Sequence, residues 1–272
     1  KNHTKYRNHK LYKLCASAYT SFDMKLFKSY PNKMYKWGYF PEVREYDLKK
    51  LMRSKSDDII ELLWVGRFLK WKHPDKAINL AKRLKQDRLR FKLRLIGTGE
   101  LEKNLKLLII ENNLQDCVEI IGPMSPDKVR ENMEKANIYL FTSNTQEGWG
   151  AVLNEAMNSA CAVVASHTIG SVPYLLQHEH NGLIYNNNDF EDLYSQVKRL
   201  FADNKFRKSI SVNAYNTMTE NWNAKKAAER LLLLSENILM GKNESFLTGI
   251  CSKAEIITSD RVLKDKLSEG NI

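Results

Sequence analysis

The chain has 272 residues, 43% of them hydrophobic, which is enough for one large core or two modest ones and carries no low-complexity tract. No apolar run is long enough to span a bilayer, and the opening KNHTKYRNHK lacks the apolar centre of a secretory leader. The net charge of +11 is concentrated: residues 1–56 hold 14 Lys and Arg against 4 Asp and Glu, whereas the rest hold 29 against 28. Such a local excess fits an anionic partner, phospholipid or polyanionic glycan, about as well as a plain solvated face. Nucleic acid ranks lowest, because no nucleic-acid-binding motif accompanies the charge. Cys15, Cys117, Cys161 and Cys251 are scattered, with no C-x-x-C pair, so they read as reduced thiols of a cytosolic protein.

In chain order, residues 1–45 contain a strand over Tyr12 to Ala18, a short helix from Asp23 and a second strand in KMYKWGYF. From about residue 60 short apolar runs alternate with longer amphipathic ones. ELLWVG (61–66), KLRLIG (92–97), VEIIG (118–122), NIYLFTS (137–143), CAVVAS (161–166) and GLIYN (182–186) read as strands. HPDKAINLAKRLKQ (73–86) is a helix with Ala77, Leu80, Ala81 and Leu84 on one stripe, and ELEKNLKLLIIENN (100–113) is another. Ser125 then Pro126 predicts an N-cap with proline in the first turn of a helix to about Ala136. From Asp189 the pattern is helical in three stretches, ending near residue 240. Residues 241–272 read as a polar tail, with a helical turn or two near Asp260 to Leu267. Strands alternating with helices imply right-handed βαβ units, hence an α/β domain over 46–240 with a Rossmann-like parallel sheet flanked by helices. Such sheets bind ligands beyond the carboxyl ends of their strands.

Three stretches lie at those ends. In VGRFLKWKHPDKA, Arg67 follows a strand and Lys72 precedes a helix, a pair of cations suited to a diphosphate or to plain solvation. In GTGE, Gly97 and Gly99 permit a tight turn, and a structural turn is favoured over nucleotide binding; the third glycine of a dinucleotide site is missing. In TSNTQEGWGAVLNEAMNSACAVVAS, Gly148 and Gly150 allow close backbone approach to a phosphate at a helix start near Ala151. Glu155, one turn inside that helix, suits the vicinal diol of a ribose, and Glu147, before it, suits sugar hydroxyls. A surface glutamate is the weaker alternative for Glu155, since its helix looks largely buried. No D-x-D occurs, and none of the six histidines has convincing metal-ligand spacing.

Together G-R-x4-K, G-x-G-E, E-G-x-G-x4-E-A-M and A-V-V-A-S resemble the family-4 retaining glycosyltransferases (glycosyl transferases group 1) of the GT-B fold, over about residues 10–240. The resemblance implies transfer of a sugar from a UDP- or GDP-linked donor, with retention and without a metal, to a glycan or lipid-linked acceptor in bacterial surface polysaccharide synthesis. It implies Arg67 and Lys72 on the diphosphate, Glu155 on the ribose and Glu147 on the donor sugar. It further places the main chain of Gly148, Trp149, Gly150 and Ala151 against phosphate, and the turn at Met124 against the base. Residues 1–45 would be the last elements of an acceptor domain plus linker, with most of that domain upstream. The basic segment 1–56 would then rest on the inner face of the cell membrane. The sequence departs from the family pattern at Ala160, where glycine is usual, at Ala162, where proline is usual, and at His73, which replaces the glycine of K-G. A truncated nucleotide-sugar-binding module without catalysis, or an epimerase using the same donor site, are the alternatives.

Overall fold

The computed structural model describes residues 2–5, 8–242, 246–260 and 262. The first unit is small: helix α1 (Asn2–Lys5), strand β1 (Lys13–Cys15), helix α2 (Thr20–Leu26) and strand β2 (Met34–Lys36). β1 and β2 pair in parallel, with Leu14 opposite Tyr35. An extended segment then leads to α3 (Leu48–Ser54), whose first turn is capped by Asp47 accepting from the Lys50 amide.

The main domain runs β3 (Ile60–Val65), α4 (Pro74–Gln86), β4 (Phe91–Ile96), α5 (Glu102–Glu111), β5 (Val118–Ile121), α6 (Pro126–Lys135), β6 (Ile138–Phe141), α7 (Val152–Asn158), β7 (Ala162–Ser166), α8 (Val172–Leu175) and β8 (Leu183–Tyr185). Three helices follow: α9 (Phe190–Ala202), α10 (Asn204–Asn216), continued by a π-helical turn to Asn221, and α11 (Ala224–Leu239). Asp189, Asp203 and Asn223 cap them, each side chain accepting from an amide three residues on. Among the described residues no helix is long and apolar enough to cross a membrane.

The six strands form one all-parallel sheet in the order β5-β4-β3-β6-β7-β8. Both faces are covered, which is why the strands read as apolar runs rather than alternating ones; β7 is buried at every position. One core packs α4, α5 and α9 against Leu62, Trp64, Leu93, Leu95 and Val164. The other packs α6, α7 and the π turn against Leu63, Tyr139, Val163 and Ala165. Burying each such aliphatic side chain contributes roughly 1.5–3 kcal/mol.

The chain winds from β3 outward to β5, returns to the other side of β3 as β6, then winds outward again to β8. The direction of winding therefore reverses between β3 and β6, and the loops after these two strands diverge and leave a crevice. Arg67 follows β3 and Glu147 follows β6.

Two sequence expectations change. Ser125 is the N-cap residue of α6, but its side chain makes no cap bond. Residues 246–254, read as part of a polar tail, dock on the first unit: Lys36 N donates to Ser252 O, Cys251 N to Lys36 O and Ala254 N to Met34 O. Ile250 and Cys251 are fully buried there. Much of this attachment is made by backbone, which side-chain polarity does not report. The helical turn expected near Asp260 to Leu267 falls mostly outside the described residues.

Candidate functional site

The loop after β3 is fixed before any ligand arrives. Gly66 N bonds Ile96 O and Phe68 N bonds Thr98 O, so Arg67 is held between two anchored residues. The turn at 97–99 lies directly against this loop. A Cβ on Gly97 (φ +143°) would sit 1.9 Å from Gly66 O, and one on Gly99 (φ +158°) would sit 2.7 Å from Phe68 O. These glycines are thus structural, as the sequence favoured: they let one loop seat against the other.

The turn Lys70–Lys72 is pinned to the end of β6. Thr142 Oγ1 accepts from Trp64 Nε1 (2.8 Å) and lies 2.8 Å from Lys72 O and 2.9 Å from His73 O. Its single hydroxyl proton serves one of these two carbonyls at a time. Asn144 N donates to Trp71 O. His73, where the family pattern has glycine, takes the left-handed conformation (φ +50°) that glycine adopts without strain. This pinning aims Lys72 across the crevice. Its ammonium meets the Glu147 carboxylate at 2.6 Å and lies over the Trp71 ring, 4.5 Å from the centroid. Ser143 Oγ donates to the same carboxylate oxygen at 3.1 Å. Both side chains of the ion pair are close to fully buried, so the pair is little screened.

Glu155 sits in the first turn of α7. No side chain among the described residues hydrogen-bonds or ion-pairs its carboxylate. Burial raises its carboxyl above the ordinary value, and the nearby Arg130 and Arg44 charges act against that rise. Tyr139 of β6 is fully buried, with its hydroxyl 3.4 Å from Val65 O at the end of β3. Burial first, then the charges of Glu155 and Glu147, hold that phenol well above its ordinary pKa. The charges of Glu147 and Glu155 are thus both felt at one hydroxyl beside the carboxyl end of β3, and Lys72 is tied to Glu147 by their ion pair. Arg67 lies two residues beyond Val65 and is exposed, and its side chain has no hydrogen-bond or ion-pair partner among the described residues.

Gly148 has open space where a side chain would be, whereas a Cβ on Gly150 (φ +73°) would strike Phe141. Ala151 caps α7 without a side-chain bond. Trp149 turns inward: its indole is 3% exposed, stacked 5.7 Å from Trp222 and tilted against Tyr39 and Tyr174. Only its backbone lies in the loop. Met124, in the turn after β5, is partly buried, and Asn132 Nδ2 lies 3.6 Å from its sulfur. Ala160 ends α7 in the left-handed region (φ +50°), the conformation the usual glycine would supply.

The first unit closes one side of the site. Ala18 N donates to Gly170 O, and the Tyr19 hydroxyl donates to His167 O. A Cβ on Gly170 would fall 2.2 Å from Ser17 Oγ and 2.3 Å from Gly148 O, so this approach needs glycine. A separate cavity of about 560 Å³ is lined by Lys70, His73 and Asp75 together with residues of α5; none of Arg67, Lys72, Glu147 and Glu155 lines it. Ser143, Tyr139, Thr142 and Gly170 were not legible as site residues. Only Ser143 had a usable signal, a hydroxyl four residues before a lone glutamate in a buried strand end.

The doubly wound parallel α/β domain, with Arg67, Lys72, Glu147 and Glu155 in or just after the loops that follow β3 and β6, has the GT-B glycosyltransferase fold. Residues 49–217, more than half the chain, match the family described as glycosyl transferases group 1, and the chain belongs to that family. It is 30% identical over 164 residues to the amylovoran biosynthesis glycosyltransferase AmsK of Erwinia amylovora, covering 58% of this chain and 40% of that protein. It is 30% identical over 173 residues to a Campylobacter jejuni N-acetylgalactosamine-N,N'-diacetylbacillosaminyl-diphospho-undecaprenol 4-alpha-N-acetylgalactosaminyltransferase, covering 62% and 46%. The matched part spans less than half the length of these relatives. Among solved structures, Anabaena HepE in complex with UDP superimposes with TM-score 0.70 at 16% identity, over 86% of this chain and 66% of that one. The C-terminal domain of LpcC from Francisella tularensis superimposes with TM-score 0.57 at 22% identity, over 66% and 95%.

Proposed function

We propose that the chain binds the donor of a retaining, metal-independent hexosyltransferase that moves a sugar from a UDP- or GDP-linked donor to a glycan or lipid-linked acceptor in bacterial surface polysaccharide synthesis. The observation that carries this is the buried Lys72–Glu147 ion pair, which bridges the loops on either side of the switch point of the sheet, with Glu155, its carboxylate unpartnered among the described residues, in the first turn of the helix that follows. Arg67 and Lys72 neutralise the diphosphate, so the leaving group departs with its charge already balanced. As phosphate claims Lys72, Glu147 is released toward the hydroxyls of the donor sugar. Glu155 accepts from the ribose diol, and the open Gly148 backbone and the amides to Ala151 face phosphate. The turn at Met124 receives the base. That relatives act in polysaccharide assembly, and that a neighbour was solved with UDP, supports the substrate class.

Calorimetric titration with UDP and GDP tests the site. Losing one charged contact costs about 1.5–3 kcal/mol, so Glu155→Ala and Arg67→Ala should each weaken binding about 10- to 150-fold. No nucleotide binding, or binding indifferent to both substitutions, overturns the reading. Retention is read from the anomeric configuration of the product by proton NMR, and metal independence from transfer in excess chelator.

The same reading places the basic first unit at an anionic cytoplasmic membrane surface. On α2 and just beyond it, Leu26 and Phe27 are 66% and 59% exposed, flanked by exposed Lys25 and Lys28. Apolar side chains framed by lysines suit the interface of an anionic bilayer.

A further inference from the structure

α7 carries two buried asparagines, Asn154 and Asn158, one turn apart and on either side of Glu155 in sequence. Asparagine is a mediocre helix former, and a buried amide must be satisfied at both ends. Here the partners come from outside the helix. Asn154 Oδ1 accepts from Trp149 Nε1 at 2.9 Å, and its Nδ2 donates to Tyr39 O at 3.2 Å. Asn158 Oδ1 accepts from Arg44 N at 2.8 Å and from the Arg130 guanidinium, while its Nδ2 donates to Arg44 O at 3.0 Å. Asn158 thus grips both backbone groups of one residue, as a neighbouring strand would. The extended segment between β2 and α3 is bonded to α7 at both Tyr39 and Arg44.

We propose that Asn158, seconded by Asn154, is a positioning residue that locks α7 to the extended segment at Tyr39–Arg44 and so sets where Glu155 meets the ribose of a bound nucleotide. This rests on the nucleotide site proposed above. α7 has seven residues, too few to be held by its own ladder of hydrogen bonds. The Glu155 carboxylate makes no hydrogen bond or ion pair among the described residues, so it takes its place from the helix alone. The apolar contacts beneath α7, through Leu153, Ala156 and Met157, resist separation but not sliding or rotation, because such packing is non-directional. Two bonds to the amide and carbonyl of one linker residue resist both. Arg130 is tied into the same lock: it is 4% exposed, donates to Asn158, and brings its charge near Glu155. A displacement near 1 Å in a group that grips a ligand is enough to change its affinity strongly.

The test uses UDP or GDP, whichever binds more tightly, and its 2′,3′-dideoxy form, titrated calorimetrically into the wild type, Asn158→Ala, Glu155→Ala and the double variant. Asn158→Ala should weaken the ribonucleotide about tenfold, short of losing the carboxylate itself, and leave the dideoxy form within about twofold. It should add nothing in the Glu155→Ala background, since the two changes remove one interaction. Equal weakening of both ligands, or losses that add in full, would mean that Asn158 only holds the fold together, and the inference falls. Asn158→Asp keeps acceptance from Arg44 N and Arg130 and loses the donation to Arg44 O. It serves if the alanine variant does not fold: a smaller loss confined to the ribonucleotide supports the lock, and an equal loss on both ligands overturns it. A wild-type chain that binds both forms equally, or neither, refutes the ribose site itself.

Discussion

Replacing Gly38 with alanine tests how the site loop is held. A Cβ built on Gly38 lies 2.1 Å from Trp149 Cη2, 2.4 Å from Cζ2 and 2.7 Å from Cζ3. Carbon atoms rest about 3.5–4.0 Å apart, so the ring and the linker must separate by roughly 1.5 Å. The indole has nowhere to go: Trp222 stacks behind it, Tyr174 flanks it, and its N–H is bound to Asn154. Overpacking of this kind costs about 1–3 kcal/mol, and losing the indole hydrogen bond adds about 1 kcal/mol. A total of roughly 2–4 kcal/mol lowers the melting temperature of a chain this size by about 5–15 °C. Gly38 is not in the left-handed region, so backbone strain contributes nothing and the effect is steric alone. Thermal melts followed by near-UV circular dichroism measure it, because the cluster of Trp149, Trp222 and Tyr174 gives the signal. A variant melting within a degree of the wild type, with an unchanged aromatic spectrum, would refute this account of the loop.

Gly148→Ala should behave oppositely, since nothing lies within 4 Å of its would-be Cβ: stability stays within about 0.5 kcal/mol while nucleotide affinity falls, and unchanged calorimetric affinity would remove this residue from the site. Lys72→Ala leaves Glu147 with Ser143 as its remaining side-chain hydrogen-bond partner. It should cost about 1–3 kcal/mol in urea unfolding, with part recovered on adding Glu147→Ala; strict additivity would argue against a coupled pair. Glu155 has a raised folded pKa, so its contribution to stability is fully present below the ordinary carboxylate range and is lost as pH rises through the raised value. Nucleotide affinity runs the other way, falling as pH drops through that value because the ionised carboxylate accepts the hydroxyl bonds; Glu155→Gln should flatten this part of the calorimetric pH profile. Leu26→Asp with Phe27→Asp should abolish co-sedimentation with anionic vesicles, and retained sedimentation would place membrane binding elsewhere.

Much of this fold is legible in the sequence because parallel strands buried on both faces are plain apolar runs. Each of the six main strands falls within two residues of its expected span, as at 91–96 and 162–166. α3 is not legible: LKKLMRS buries one leucine and otherwise reads as a charged linker. α8 has four residues, too few for any period to show. In the site, Glu147 and Glu155 stand out because a lone carboxylate in a buried stretch needs a reason. Their supports do not, because Thr142, Ser143 and Asn158 act through single directed bonds, which leave no periodic trace. Trp149 shows the limit most clearly. Its place in E-G-W-G suggests the ligand side, yet its large apolar ring is drawn into the interior, where it buries against three other aromatic rings.

The return of residues 250–254 to the β1–β2 unit also bears on how the polypeptide is made. Lys253 bonds the hydroxyl of Tyr35 across 218 positions of sequence. At translation speeds of 5–20 residues per second, the β1–β2 pair waits roughly 10–40 s for this segment to leave the ribosome. During that interval Met34 and Lys36 lack the backbone partners that residues 251–254 bring, so this junction closes only after the central sheet is able to assemble.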